Sequence, residues 1–367
     1  MHSSVSRIIR FPSSIDRSGS TVELFTEAAD LIKKYLGVDQ AIAEGLSLWN
    51  ASTWLSDVLP SPPPLMISAP DMAVGMIAFQ LFSCTSRRAL GLAGVNRAAL
   101  GVLPMHLRPT LLINQPDLPR STWQLWLSSN HRGLHVPGKA GAVLDCVCSK
   151  AVFLGTAPSA DAWRGEALSV TLPAAERGLP ILDEQAMTRI ADEFQPRFQG
   201  FRLDWLSRWR KGCSSTGKLL FAGSELAQNL YACVQREPEL IQAMTPLLSS
   251  QEQEAMTRRQ LDPNMIIVEV LWDPAHQERK LSVKKITEYL NVRLRIRGEK
   301  YEYNEEEIGR KLGQLGLKRH RNGSGMALKF SSENSRLLHQ LARKSGLNFP
   351  KVPGCSDCAE LEVMGAP

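Results

Sequence analysis

Short apolar runs alternate with helical stretches between residues 65 and 173, and this alternation restricts the fold more than any other feature of the chain. "LMISA" (65–69), "ALGLAGV" (89–95), "TLLIN" (110–114), "KAVFLGTAP" (150–158) and "ALSVTLP" (167–173) read as strands. "GMIAFQLFSCTS" (75–86), "NRAALGVLPMHL" (96–107, interrupted at Pro104) and "PRSTWQLWLSSNHRG" (119–133) read as helical. Strands separated by helices pair in parallel, with the helices covering both faces of the sheet. The expected fold class is therefore α/β with a mostly parallel sheet.

The flanks are helical. "STVELFTEAADLIKKYLG" (20–37) spaces Val22, Phe25, Ala29, Ile32 and Leu36 as one helix face, with Ser20 or Thr21 as cap and Gly37 after it. "DQAIAEGLSLWNASTWLSDVL" (39–59) reads as a second helix capped by Asp39. From 184 to 257 the pattern is helical again, and "FQGFRLDWLSRWRKG" puts Phe198, Phe201, Trp205 and Trp209 near one face. The interleaved Arg197, Arg202, Arg208, Arg210 and Lys211 read as a solvated face. The last segment predicts helices over 264–272 and 282–295, and a third from the cap Asn304 to Gly316 with Glu305–Glu307 in its first turn. "LKRHRNGSGMALKF" (317–330) then reads as strand, turn and strand, followed by a helix over 335–347. Helices followed by a basic hairpin are the order of a winged helix–turn–helix. The expected boundaries are a flexible N-terminus (1–20), an α/β domain (21–183), a helical connector (184–257), a winged helix (258–347) and a flexible tail (348–367).

A chain of 367 residues accommodates two or three such domains. No apolar run approaches the roughly 18 residues of a membrane span. The first 20 residues lack the pattern of a secretory signal, so a cytoplasmic location with no membrane partner is expected. Seven cysteines, an odd and scattered set in a large chain, predict free thiols rather than a disulfide framework. "CSDC" (355–358) has zinc-ligand spacing, but no second Cys or His pair lies near it in sequence, so no metal is expected. The formal charge of +6 is uneven: residues 280–345 hold sixteen Lys/Arg against seven Asp/Glu. Polyanions are the partners such a segment suits.

The loop "PDMAVGMI" (70–77) stands where a phosphate-binding loop would follow the first strand. One extra strand (89–95) separates it from "TLLIN", the order of helicase- and RecA-like ATPases. The motifs "LMISAP…G", "LRPTLLIN" and "KAVFLGTAP", with a helix carrying Trp49 and Trp54 ahead of them, resemble a helicase-like P-loop ATPase family. Its members occur with phage and plasmid primases and with uncharacterised bacterial reading frames. The tail "IGRKLGQLGLKRHRNGSG" is similar to the winged-helix tails of related proteins. The resemblance covers about 25–345 and implies a P-loop NTPase sheet of RecA/helicase type, followed by a helical region ending in a winged helix.

The family typically reads Gly-Lys-Thr in its loop and Asp-Glu after "RPTLLI". Here Gly75 is followed by Met76 and Ile77, where the resemblance implies the phosphate lysine and the Mg²⁺ hydroxyl. Asn114 and Gln115 stand in place of Asp and Glu. Thr156 falls near the expected sensor position, and Arg164 near an arginine directed at a neighbouring subunit's nucleotide. Phosphoryl transfer needs cations to offset the triphosphate charge. Mg²⁺ favours carboxylate and hydroxyl oxygens, which these positions lack. The expectation is no ATP or Mg²⁺ cofactor and no catalytic residue. Function then moves to the basic C-terminus, where Arg310, Lys311, Lys318, Arg319, His320, Arg321 and Lys329 are the candidate nucleic-acid contacts, DNA first. An accessory role beside an active ATPase or primase partner in replication or a mobile element follows. The alternatives are an ATPase that uses non-standard residues and a protein-interaction scaffold whose charges are only solvated.

Overall fold

The computed structural model describes residues 8–96, 103–116, 120–137, 143–155, 167–174, 178–212, 225–277, 280–298, 301–323, 325–345, 350 and 352–358. Two compact units divide the chain, Met1–Glu252 and Gln253–Pro367.

In the first unit, α1 (Thr21–Leu36) begins at a reciprocal cap between Ser20 and Glu23 and ends at Gly37, whose φ of 63° is the left-handed conformation glycine adopts freely. Helix α2 (Gln40–Thr53) is capped by Asp39. Then come β1 (Leu65–Ser68), α3 (Met72–Thr85), β2 (Ala89–Leu92), β3 (Thr110–Asn114), α4 (Arg120–Ser128), a small antiparallel pair β4 (Val136–Pro137) and β5 (Val143–Leu144), β6 (Lys150–Phe153) and β7 (Leu168–Thr171). Helices α5 (Glu184–Gly212) and α6 (Glu225–Val234) follow, and α7 (Pro238–Leu261) starts in this unit and continues past its last residue. Of the stretch 96–107, expected to be helical, the described part contains one 3₁₀ turn at Met105–Leu107.

The five main strands form one parallel sheet in the order β2-β3-β6-β1-β7. The chain leaves central β1, crosses to the far edge at β2, and returns through β3 and β6. Alternate residues feed two cores. Leu65, Ile67, Leu112, Phe153 and Val170 join the core that includes residues of α1, α2, α3 and α5. Met66, Leu111, Ile113 and Val152 join the opposite core with Trp123 and Trp126 of α4. Both sheet faces are thus buried, as the apolar runs predict.

Of the expected face of α5, Phe198, Phe201 and Trp205 are buried. Trp54 stacks on Phe198 at 5.9 Å, and Phe25 meets Phe198 and Phe201 edge-on. Two of the arginines read as solvated are instead paired and mostly covered. Arg197 bonds Glu27, and Arg202 forks onto both oxygens of Asp57 at 2.7 and 2.8 Å. Arg87 reaches the same carboxylate at 3.3 Å. Burial pushes the Arg87 guanidinium down to about 10, so it remains charged at neutral pH. The N-terminus also differs from expectation over residues 8–20. Ile9 is buried, and the Asp16 N–H donates to the Pro196 carbonyl at 3.0 Å. A Cβ at Gly200 would lie 1.9 Å from the Asp16 carbonyl oxygen, so only glycine lets this arm lie against α5.

In the second unit, α8 (Pro263–His276) leads to β8 (Lys280–Ser282), α9 (Val283–Ile296), α10 (Glu305–Gln314), β9 (Arg319–Asn322), β10 (Gly325–Lys329) and α11 (Ser332–Ser345). The strands form an antiparallel sheet in the order β8-β10-β9. Its own core gathers Ile267, Leu271, Ile286, Leu290, Ile308, Leu312, Leu328 and Leu338.

Candidate functional site

The carboxyl end of β1 is where an α/β sheet of this order presents a ligand crevice. Only Ala69, Pro70 and Asp71 separate β1 from α3, because the helix begins at Met72. The stretch expected to be a loop from 70 to 77 is therefore helical over most of its length. The cause is a cap: the Asp71 carboxylate accepts the Ala73 N–H at 2.8 Å. This carboxylate occupies the helix N-terminus, where the dipole would otherwise favour a phosphate.

Gly75 sits one turn inside α3 against the sheet. A Cβ there would meet the Phe153 ring at 2.4 to 2.6 Å. Met76 is 36% exposed, and its sulfur accepts the Asn114 Nδ2 at 3.5 Å. Ile77 packs against the core shared by the helices. Asn114 Oδ1 is buried without a hydrogen-bond partner among the described residues. Gln115 turns away from α3: its Oε1 accepts the Val95 N–H at 3.0 Å and so fixes the segment after β2. The structure thus brings Gly75, Met76 and Asn114 together and assigns Gln115 to backbone support. Thr156 and Arg164 lie outside the described residues.

The basic residues of the second unit divide by partner. Asn304 and Glu307 form a reciprocal cap on α10, and the Tyr301 hydroxyl donates to Glu307 at 2.7 Å. The Asn304 N–H, followed by that hydroxyl, holds the Glu307 carboxyl below its ordinary range. Lys311 lies over the Tyr303 ring at 5.3 Å. Lys318 pairs with Glu333 at 2.7 Å. Arg319 is exposed, yet its guanidinium lies across Gly309 and Gly313 of α10, 2.7 and 3.5 Å from where their Cβ atoms would be. Two glycines four apart on one helix face make room for it. Arg293 and Arg297 share Glu269, and Arg295 bonds Glu302.

Exposed Arg310, Arg321 and Lys329 have no ion pair among the described residues. Lys329 stands directly opposite Lys280 in the β10–β8 register, and Arg321 opposite Met326 in the hairpin. His320 faces Ala327, with its Nε2 enclosed and unpartnered among the described residues. Sequence reading did not pick out Lys280. Its β8 is three residues long, too short for its polar–apolar–polar alternation to mark it as a strand.

The expected flexible tail is packed over the described residues 350 and 352–358. Pro350 accepts the Trp272 indole N–H at 2.9 Å, and Cys358 is buried. Cys355 and Cys358 there meet His276 and His339, with the four donor atoms within 4.8 Å of one another. Sequence reading missed both histidines because His276 lies 82 residues before Cys358, and His339, 16 residues before Cys355, stands alone rather than in a ligand pair. The one available signal was His339 beside Leu338 and Ala342 on the apolar face of α11.

No helix among the described residues is long and apolar enough to cross a membrane. No family model matches this sequence, and no curated protein matches it. Among solved structures the chain is similar to the A form apo structure of the NrS-1 C terminal region, at a TM-score of 0.37 and 8% identity, covering 88% of this chain and 78% of that one. A second structure of the same region, spanning 305–718, gives a TM-score of 0.36 and 9% identity, with 88% and 77% covered.

Proposed function

We propose that the second unit is a winged helix that binds nucleic acid, DNA first, and that the first unit is a helicase-like P-loop fold that no longer hydrolyses ATP. On this reading α8, α9 and α10 are the three helices, and the β9–β10 hairpin is the wing. The chain serves as an accessory to replication or a mobile element, beside a partner that supplies ATPase or primase activity.

One observation carries the nucleic-acid reading. Lys280 and Lys329 are cross-strand neighbours, and like charges placed so oppose sheet pairing. A polyanion laid along the outer face of β8 and β10 removes that repulsion. Arg321, paired with Met326, lies on the opposite face of the hairpin from Lys329 and supplies a separate exposed charge near the tip. The acids Glu305, Glu306 and Glu307 at the start of α10 repel phosphates. The hairpin, rather than insertion of that helix end, therefore dominates the contact.

Fluorescence anisotropy of labelled duplex and single-stranded DNA across a salt series tests this. Each of Arg321→Ala and Lys329→Ala should lower the slope of log K against log salt by about 0.9 on duplex DNA. Absence of binding to either DNA at low salt would favour a protein-interaction scaffold and overturn the reading. For the first unit, Mg²⁺-dependent phosphate release from ATP, lost in Gly75→Asp, would overturn the assignment as inactive.

A further inference from the structure

We propose that the second unit holds one structural zinc ion, ligated by His276, His339, Cys355 and Cys358. The ligands come from three places in the fold: the last turn of α8, the middle of α11, and the segment after Pro350. Their distances fall within a few tenths of an ångström of a tetrahedron for the four pairs in contact, and all four donor atoms lie within 4.8 Å of one another. Nε2 of His276 lies 3.0 Å from Nε2 of His339 and 3.2 Å from Sγ of Cys358. Nε2 of His339 lies 3.3 Å from Sγ of Cys358 and 3.5 Å from Sγ of Cys355. Zinc bonds of about 2.0 Å to nitrogen and about 2.3 Å to sulfur, at tetrahedral angles, set ligand atoms roughly 3.3 to 3.8 Å apart.

The protonation pattern points the same way. Nδ1 of His276 is 2.7 Å from the Trp272 carbonyl, and Nδ1 of His339 is 2.7 Å from the Ser335 carbonyl. A carbonyl only accepts, so in each ring the proton sits on Nδ1 and Nε2 presents a lone pair. This is the arrangement in which an outer carbonyl fixes the tautomer of a metal-binding histidine. Two such lone pairs therefore face each other beside two sulfurs. Zinc binding displaces the two thiol protons to solvent. The resulting set of two thiolates, two neutral imidazoles and Zn²⁺ carries no net charge, which suits a site whose His339 and Cys358 are 4% and 3% exposed.

The chain itself supplies all four positions, which marks a structural rather than a catalytic centre. The ion would fasten the segment after Pro350 to the first and last helices of the unit. Trp272 adds to the same closure. Its ring lies 4.7 and 4.8 Å from the two imidazoles, and its indole nitrogen holds Pro350. The alternative is a metal-free network in which each thiol donates to an imidazole.

Metal content of the untagged full-length chain, expressed with zinc and dialysed against metal-free buffer, decides between them. One zinc per chain is expected, falling to background in His339→Ala and in Cys358→Ser. A folding defect alone could also remove the metal. His276→Cys is therefore the second variant: it should keep one zinc. After cobalt exchange it should show stronger thiolate-to-metal charge transfer than the wild type, which itself should show tetrahedral cobalt bands. Zinc removed entirely by dialysis, stoichiometric zinc that survives Cys358→Ser, or a Cys355–Cys358 disulfide in freshly purified protein would each overturn the proposal.

Discussion

Gly75→Ala separates two accounts of the glycine that follows β1. If the glycine lets a phosphate approach the backbone, alanine leaves the fold undisturbed or improves it. An interior helix position gains about 1 kcal/mol on going from Gly to Ala. The structure predicts the opposite sign. The new methyl would lie 2.4 Å from Cε2 and 2.6 Å from Cδ2 and Cζ of Phe153, where ordinary carbon contacts are about 3.5 to 4.0 Å. Relief requires a shift of roughly 1 Å by the ring or the helix. Phe153 is fully buried, and its backbone pairs with Ile67 on one side and Asn114 on the other. Phe79 stands edge-on to the ring at 6.4 Å, which restricts it further. Overpacking of this kind costs about 1 to 3 kcal/mol. Taking the upper end against the helix gain leaves a net loss of about 2 kcal/mol.

Urea unfolding of the wild type, Gly75→Ala, Phe153→Leu and the double variant measures the term. Leucine removes the ring edge that meets the methyl, so alanine should be neutral or stabilising in that background. The cycle should return a coupling of about 2 to 3 kcal/mol, within the range seen for residues in contact. A stabilising Gly75→Ala, or single effects that add to within about 0.5 kcal/mol, would refute the packing account.

Three further outcomes follow from named contacts. Asp57→Asn should destabilise the first unit by about 3 kcal/mol near neutral pH, read by thermal unfolding, because Arg87 and Arg202 lose their shared countercharge. Burial alone would raise the Asp57 carboxyl, but the Arg202 hydrogen bonds and the charge of Arg87 outweigh it and hold the group below its ordinary value. Its stabilisation is therefore complete above the unfolded value of about 3.9 and disappears as pH falls through the folded one, so the variant's stability should vary less with pH below about 4. Asn304→Ala removes one half of the α10 cap and should lower the stability of the second unit by about 1 kcal/mol, with earlier amide exchange in the first turn of that helix.

The sequence made the sheet legible because parallel strands buried on both faces must be apolar throughout. "TLLIN" and "KAVF" show this, and both are central strands. The start of α3 was open to reading too: Pro70 and Asp71 are a helix-start signal, yet Gly75 drew attention to a loop instead. Pairings distant in sequence were not legible. Nothing near Arg202 announces Asp57, 145 residues earlier, and nothing near Cys358 announces His276, 82 residues earlier. Charge in a helical pattern reads as solvated until the partner is placed. Arg202 therefore reads as part of a solvated face and Arg319 as a nucleic-acid contact until Asp57 and the glycines of α10 are placed beside them.

The contacts at the end of β1 also bear on why single substitutions would not create a nucleotide site. Asp71 supplies an anion at the helix N-terminus, so an incoming phosphate meets like charge at the place where the backbone N–H groups would receive it. Lysine at position 76 would reach this surface, since Met76 is partly exposed, but Asp71 would compete with phosphate for its charge. Asn114→Asp alone would set a carboxylate against the Met76 thioether, with no cation to meet it. The Asn114 amide donates to Met76, and Asp71 caps the helix on which Met76 stands. A working phosphate site needs the cap removed and a lysine, a hydroxyl and a carboxylate gained together. Of these changes, the carboxylate at 114 made alone would place an uncompensated charge at a partly buried position, and removal of the Asp71 cap made alone would leave the Ala73 N–H without its side-chain acceptor.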